Sequence, residues 1–142
     1  MSRILCVIDG MTDPHFQVER YGHLASMGSV RYVDTCGGFP PETLHCVLRL
    51  LGVTDLDAKT EAALRAAERC PFVLLHINGA DEAAHRHDSA EKETFLRRVD
   101  DRVLSRLLAS EHEIVVASDH GADPESGAHL GGPQPFLPAV KW

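Results

Sequence analysis

The chain has 142 residues, 44% hydrophobic and 25% charged, with 21 acidic side chains against 14 basic ones and a formal charge of -7. That length suits one domain with one core, residues 1–142, and the acidity argues against a nucleic-acid surface, which needs a basic face. No apolar run is long enough for a bilayer span. The opening MSRILCVIDG lacks the apolar stretch of a secretory signal, so a cytoplasmic protein is expected.

In chain order, Arg3–Ile8 is the first strand, an apolar run that suits burial on both faces of a parallel sheet. Val30–Val33 is a weaker strand. Thr43–Leu51, after Pro40 and Pro41, reads as a helix, and Asp57–Glu68 reads as another on a background of good helix formers. Phe72–Ile77 is the second strong strand. Ser89–Leu108 carries Phe95, Leu96, Val99, Val103, Leu104, Leu107 and Leu108 close to helical spacing, with Ser89 as its expected N-cap. The charges in FLRRVDDRVLSRLL then form a solvated face. Glu113–Ala117 is the third strong strand, and Phe136–Val140 is a weaker one that Pro138 pushes toward a sheet edge. This alternation predicts an α/β three-layer sandwich around a mostly parallel sheet. Of the four cysteines, Cys6 and Cys70 read as small buried hydrophobes, and none of the four forms a CxxC pair.

The polar residues cluster at strand ends. The first strand runs into Asp9-Gly10, the second leads to Asp81 with His85 four residues on, and the third runs into Asp119-His120-Gly121; a loop then reaches His129. In open parallel sheets ligands gather beyond the carboxyl ends of the strands, so these loops should share one rim. Three converging carboxylates repel one another unless a cation joins them. Three imidazoles alongside favour zinc or manganese over calcium or magnesium. Six side chains exceed the needs of one tetrahedral ion, so two divalent ions are expected.

The segments VIDGMTD, GADEAAH and ASDHGADPESGAHLGGPQPFL resemble the metal-binding segments of archaeal-type cofactor-independent phosphoglycerate mutases, within the alkaline phosphatase superfamily. The resemblance runs from Ile4 to Phe136 with one large gap. It implies an alkaline phosphatase-like minimal core. It also implies one ion at Asp81, His85 and His129, and another at Asp9, Asp119 and His120. The family nucleophile is a serine nine residues before a glycine. Thr43 stands nine residues before Gly52 and follows Pro41 at the family offset, so the resemblance places Thr43 there. The acid that follows the nucleophile in the family is Leu44 here.

Between the nucleophile segment and the D-x-x-x-H segment the family carries an inserted domain that grips substrate. Here that interval holds little more than one helix. Without a lid, a phosphoryl group on Thr43 should pass to water, which predicts hydrolysis of a small phosphorylated metabolite. Two alternatives stand beside this: a mutase whose lid comes from another chain, and a non-catalytic metal-binding regulator. An exposed sheet edge near Val30 or Phe136 would suit a homodimer. Arg20, Arg31, Arg49 and Arg86 are the candidates for gripping phosphate. His87 and Asp88 read as solvent residues at a helix start, His15, His23 and His112 as surface, and His76 as a satisfied core histidine.

Overall fold

The computed structural model describes residues 2–33, 47–48 and 55–138. Thr43, Leu44, Arg49, Cys36 and Cys46 lie outside these residues, as does most of the helix expected over Thr43–Leu51. A six-stranded sheet runs through the molecule in the order β2-β8-β5-β1-β4-β3. Its strands are β1 (Arg3–Ile8), β2 (Arg31–Val33), β3 (Val47–Leu48), β4 (Phe72–Ile77), β5 (Glu113–Ala117) and β8 (Gln134–Leu137). β1 pairs in parallel with β4 and β5, and β3 in parallel with β4; β8 runs antiparallel to both β5 and β2. The fold is therefore α/β with a mostly parallel sheet, as the alternation of elements predicts.

Three expectations are corrected. Val47–Leu48 is a strand, because its backbone pairs with Leu74 and Leu75 of β4 and so extends the sheet. The last strand starts at Gln134, and it is not an edge strand: β2 covers it through Arg31 to Phe136, Tyr32 to Pro135 and Val33 to Gln134. The long helix is capped by Asp88, whose carboxylate accepts from the Glu91 amide at 2.8 Å; Ser89 is its first residue.

Five α-helices are described: α1 (Gly22–Ser26), α2 (Leu56–Ala67), α3 (Gly79–His85), α4 (Ser89–Arg98) and α5 (Ser105–Ala109). A π-helical segment, Val99–Leu104, joins α4 to α5, so the helix read over Ser89–Leu108 is one nearly continuous rod. One core packs Ile4, Cys6 and Ile8 of β1 and Val73, Leu75 and Ile77 of β4 against Ala63, Leu96, Val99, Val103 and Leu107 of the helices. On the opposite face Leu5, Val7, Val115, Ala117 and Phe136 are buried in a second cluster. Burial pushes the Cys6 thiol up to about 12, which keeps it protonated and inert.

Not every charge on the long helix is solvated. Asp100 is buried and accepts the amides of His23 at 3.0 Å and Leu24 at 2.8 Å, satisfying the first turn of α1. Periodicity places Asp100 on the helix but is blind to the α1 terminus opposite it. His23, read as surface, also meets this carboxylate through Nδ1 at 3.1 Å.

Candidate metal centre

The parallel core of the sheet brings the ends of β1, β4 and β5 to one rim. Asp9 follows β1, and its amide donates to the Ile77 carbonyl at 2.7 Å, so the pairing with β4 fixes its backbone. Gly10 then turns with a positive φ of 67°, and a side chain there would meet Cα and Cβ of Asp81 at 2.9 Å. The loop after β1 thus lies against α3, which carries Asp81 in its first turn and His85 one turn later on the same face.

Asp119 and His120 follow β5. The chain then makes a small hairpin from β6 (Gly121–Ala122) and β7 (His129–Leu130), in which Ala122 pairs with His129. This pairing returns His129 to the rim. Inside the hairpin loop, Asp123 exchanges backbone bonds with Ala128 at 2.9 Å and Gly127 at 2.7 Å, and its carboxylate accepts the Glu125 amide at 2.9 Å. His87 braces the same loop: its Nδ1 lies 3.1 Å from the Glu125 carbonyl oxygen. His87 and Asp88 therefore do structural work in the fold, one on the hairpin loop and the other at the start of α4.

The six side chains singled out at the strand ends come together. Asp81 reaches His85 Nε2 at 3.2 Å through Oδ2 and His129 Nε2 at 3.3 Å through Oδ1, and the two imidazole nitrogens are 3.1 Å apart. His120 Nε2 lies 2.7 Å from Asp9 Oδ1, 3.9 Å from Asp81 Oδ1 and 3.8 Å from Asp119 Oδ2. The His120 and His129 rings stack with centroids 4.0 Å apart. His120 Nδ1 is 2.7 Å from the Gly121 carbonyl, which holds its proton on that nitrogen and turns Nε2 inward as a lone pair.

The donor set fits cations. Asp9 Oδ1 and Asp81 Oδ1 are buried without a hydrogen-bond partner. Buried carboxylate oxygens facing imidazole lone pairs need a proton or a metal ion between them. The electrostatics agree. Burial, then the neighbouring Asp119 and Asp81 carboxylates, pushes Asp9 up to about 7. For His120, burial opposes the charged ring, but the Gly121 carbonyl and the Asp119, Asp9 and Asp81 carboxylates outweigh it and raise its pKa.

Ligand atoms within 4.8 Å of one another form three groups at this rim: Asp81, His85 and His129; Asp9, Asp81 and His120; and Asp9, His76 and Asp119. The first matches the set that the family resemblance implies for one ion. In the third, His76 stands where His120 was expected. His76 is no core histidine: its side chain is 39% exposed, and its Nε2 lies 3.5 Å from Asp9 Oδ2. Along β4 buried and partly exposed residues alternate, and His76 falls on the more open face with Phe72 and Leu74. The letters FVLLHI carry no matching alternation, because every residue but His76 is apolar.

Lys92 was also missed. It is 1% exposed, and its Nζ donates to the Thr12 carbonyl at 3.1 Å, Asp13 Oδ2 at 2.8 Å and the Ala122 carbonyl at 2.8 Å. It ties the loop after β1 to the hairpin after β5. Among the phosphate-gripping candidates, Arg86 pairs with Glu91 and Arg31 lies over the Phe136 ring at 5.0 Å. Arg20 lines a cavity of about 290 Å³ with Asp13, Tyr21, Lys92 and Glu93, which none of the six rim residues lines. None of the described helices is long and apolar enough to cross a membrane.

A family model described as the Metalloenzyme superfamily matches residues 14–141, a range that includes Asp81, His85, Asp119, His120 and His129. The chain is 37% identical over 88 residues to 2,3-bisphosphoglycerate-independent phosphoglycerate mutase 2 of Methanothermobacter thermautotrophicus, covering 59% of this chain and 22% of the relative. It is 29% identical over 122 residues to the 2,3-bisphosphoglycerate-independent phosphoglycerate mutase of Methanococcus aeolicus, covering 84% of this chain and 27% of the relative. The solved structure of PH0037 protein from Pyrococcus horikoshii superposes with a TM-score of 0.52 at 30% identity, over 59% of this chain and 26% of that one. The chain spans about a quarter of the length of these relatives.

Proposed function

The chain belongs to the Metalloenzyme superfamily, and from that premise we propose that its rim site holds two divalent ions, zinc or manganese, and transfers phosphoryl groups. The reaction that fits best is hydrolysis of a small phosphate ester. The observation that carries this reading is the pair of buried, unpartnered carboxylate oxygens, Asp9 Oδ1 and Asp81 Oδ1, turned toward imidazole nitrogens.

Asp81, His85 and His129 would hold one ion, and Asp9, Asp119 and His120 the other. When bound, the ions supply positive charge to the non-bridging phosphate oxygens and lower the pKa of a coordinated hydroxyl. The chain's own residues do the rest. His120 keeps its Nδ1 proton on the Gly121 carbonyl, which leaves Nε2 free to donate its lone pair. Thr43, assigned by its offset from Pro41 and Gly52, supplies the attacking oxygen. Its Oγ–P bond forms as the bond to the ester oxygen breaks, and the departing alcohol takes up a proton. Water then cleaves the Oγ–P bond, giving phosphate and restoring the threonine hydroxyl.

Protein purified without chelator should contain close to two zinc or manganese ions per chain and should release phosphate from a generic aryl phosphate. Thr43→Ala should abolish that release and keep the metal. An unchanged rate would remove Thr43 from the mechanism, and metal-free protein that takes up no ion would remove the centre itself. The names of the relatives favour a second reading, interconversion of 3- and 2-phosphoglycerate. That reading predicts isomerisation with little free phosphate.

A further inference from the structure

His76 lies beside Val7 in the β1–β4 ladder, one residue before Ile77, whose carbonyl anchors Asp9. Its own carbonyl accepts from the buried Lys59 of α2 at 3.5 Å, so the backbone is held from beneath while the ring faces the rim. The two carboxylate oxygens of Asp9 divide between two imidazoles: Oδ1 lies 2.7 Å from His120 Nε2 and Oδ2 lies 3.5 Å from His76 Nε2. One ligand atom each from Asp9, His76 and Asp119 falls within 4.8 Å of the others, the same limit that Asp81, His85 and His129 meet. Ligands ~2 Å from a common zinc ion stand on the order of 3–4 Å from one another, so both groups have nearly the span that one ion requires.

We propose that His76 is a ligand of the ion bound by Asp9 and Asp119. This inference rests on the metal-centre reading above and deepens it. Beside the His120 that the reading above gives this ion, a second imidazole from His76 moves the preference further from magnesium toward zinc. With His76 on one side of Asp9 and His120 on the other, an imidazole nitrogen stands at each oxygen of this carboxylate.

The competing role is indirect: His76 would donate a hydrogen bond to Asp9 and only orient it. Zinc titrations of the full chain with its wild-type residues, His76→Ala and His76→Gln separate the two. Gln keeps an N–H donor for Asp9 but offers no imidazole. The wild-type chain should bind two ions. Both variants should keep one ion with little change and bind the second at least tenfold more weakly. Recovery of wild-type affinity in His76→Gln, or two ions at wild-type affinity in His76→Ala, would overturn the ligand role and leave the rest of the centre standing. A wild-type chain that binds no ion would overturn the centre and this inference together. Should either variant fail to fold, nitrogen NMR of the wild-type imidazoles gives the answer directly. Addition of zinc to metal-free protein should shift His76 Nε2 as a coordinated nitrogen, and an unmoved resonance overturns the proposal.

Discussion

Asp9 is the residue on which the site turns. It lies between His120 and His76, and burial together with Asp119 and Asp81 brings its carboxyl up to about 7. A metal ion must then displace a proton at neutral pH and below. Apparent zinc affinity should fall as pH drops through 7, about tenfold per unit for one displaced proton, in titrations at pH 6 and pH 8. The same shift has a sign for folding. Between about pH 4 and 7 the metal-free folded chain holds a proton on Asp9 that the unfolded chain, with an ordinary aspartate, does not. Metal-free protein should therefore lose stability as pH rises through that window, and thermal melts with saturating metal should show less of that loss. The six strand-end residues were legible because Asp and His at strand ends are chemically conspicuous. His76 was not, because one polar letter inside an apolar run does not say which face of the sheet it occupies.

At the scale of elements, α4 is the component that joins the loop after β1 to the hairpin after β5. Its Lys92 spends its ammonium on two backbone carbonyls and Asp13, with 2% of the side chain exposed against 11% for Asp13. Burial lowers the lysine pKa, and the Asp13 hydrogen bond and charge oppose that shift. Lys92→Met keeps most of the volume but strands the Asp13 carboxylate, so chemical denaturation should show a loss of about 3–5 kcal/mol. Helical spacing made the rod from Ser89 onward legible, including most of its buried apolar face. It could not show that Lys92 and Asp100 also point inward. Each of those charges answers a backbone group on another element: the Thr12 and Ala122 carbonyls for Lys92, and the α1 amides for Asp100.

At the scale of the molecule, the sheet order sets β1 between β4 and β5, and so brings Asp9 between the segments that carry Asp81 and Asp119. Gly10 is where two of these segments touch. Gly10→Ala would place a methyl group against the Asp81 backbone in a left-handed conformation. The variant should lose more than about 1–2 kcal/mol in denaturation, the backbone cost alone. It should also bind zinc more weakly, because α3 must move away from Asp9. The edges of the sheet were the least legible part. Val30–Val33 was legible as a weak strand and is β2, but β3 is two residues long, too short for periodicity to register, and pairing with β4 is what makes it a strand.

By itself the sequence determined the three central strands, the two long helical stretches, the common rim and its six Asp and His residues. Apolar runs and ligand chemistry are local properties, written in consecutive letters. Only the tertiary structure decided that His76 belongs to the rim, that Lys92 and Asp100 are buried, and that a hairpin of β6 and β7 is what carries His129 there. Those outcomes depend on which element packs opposite which, and burial free energy is settled by the partner rather than by the residue alone.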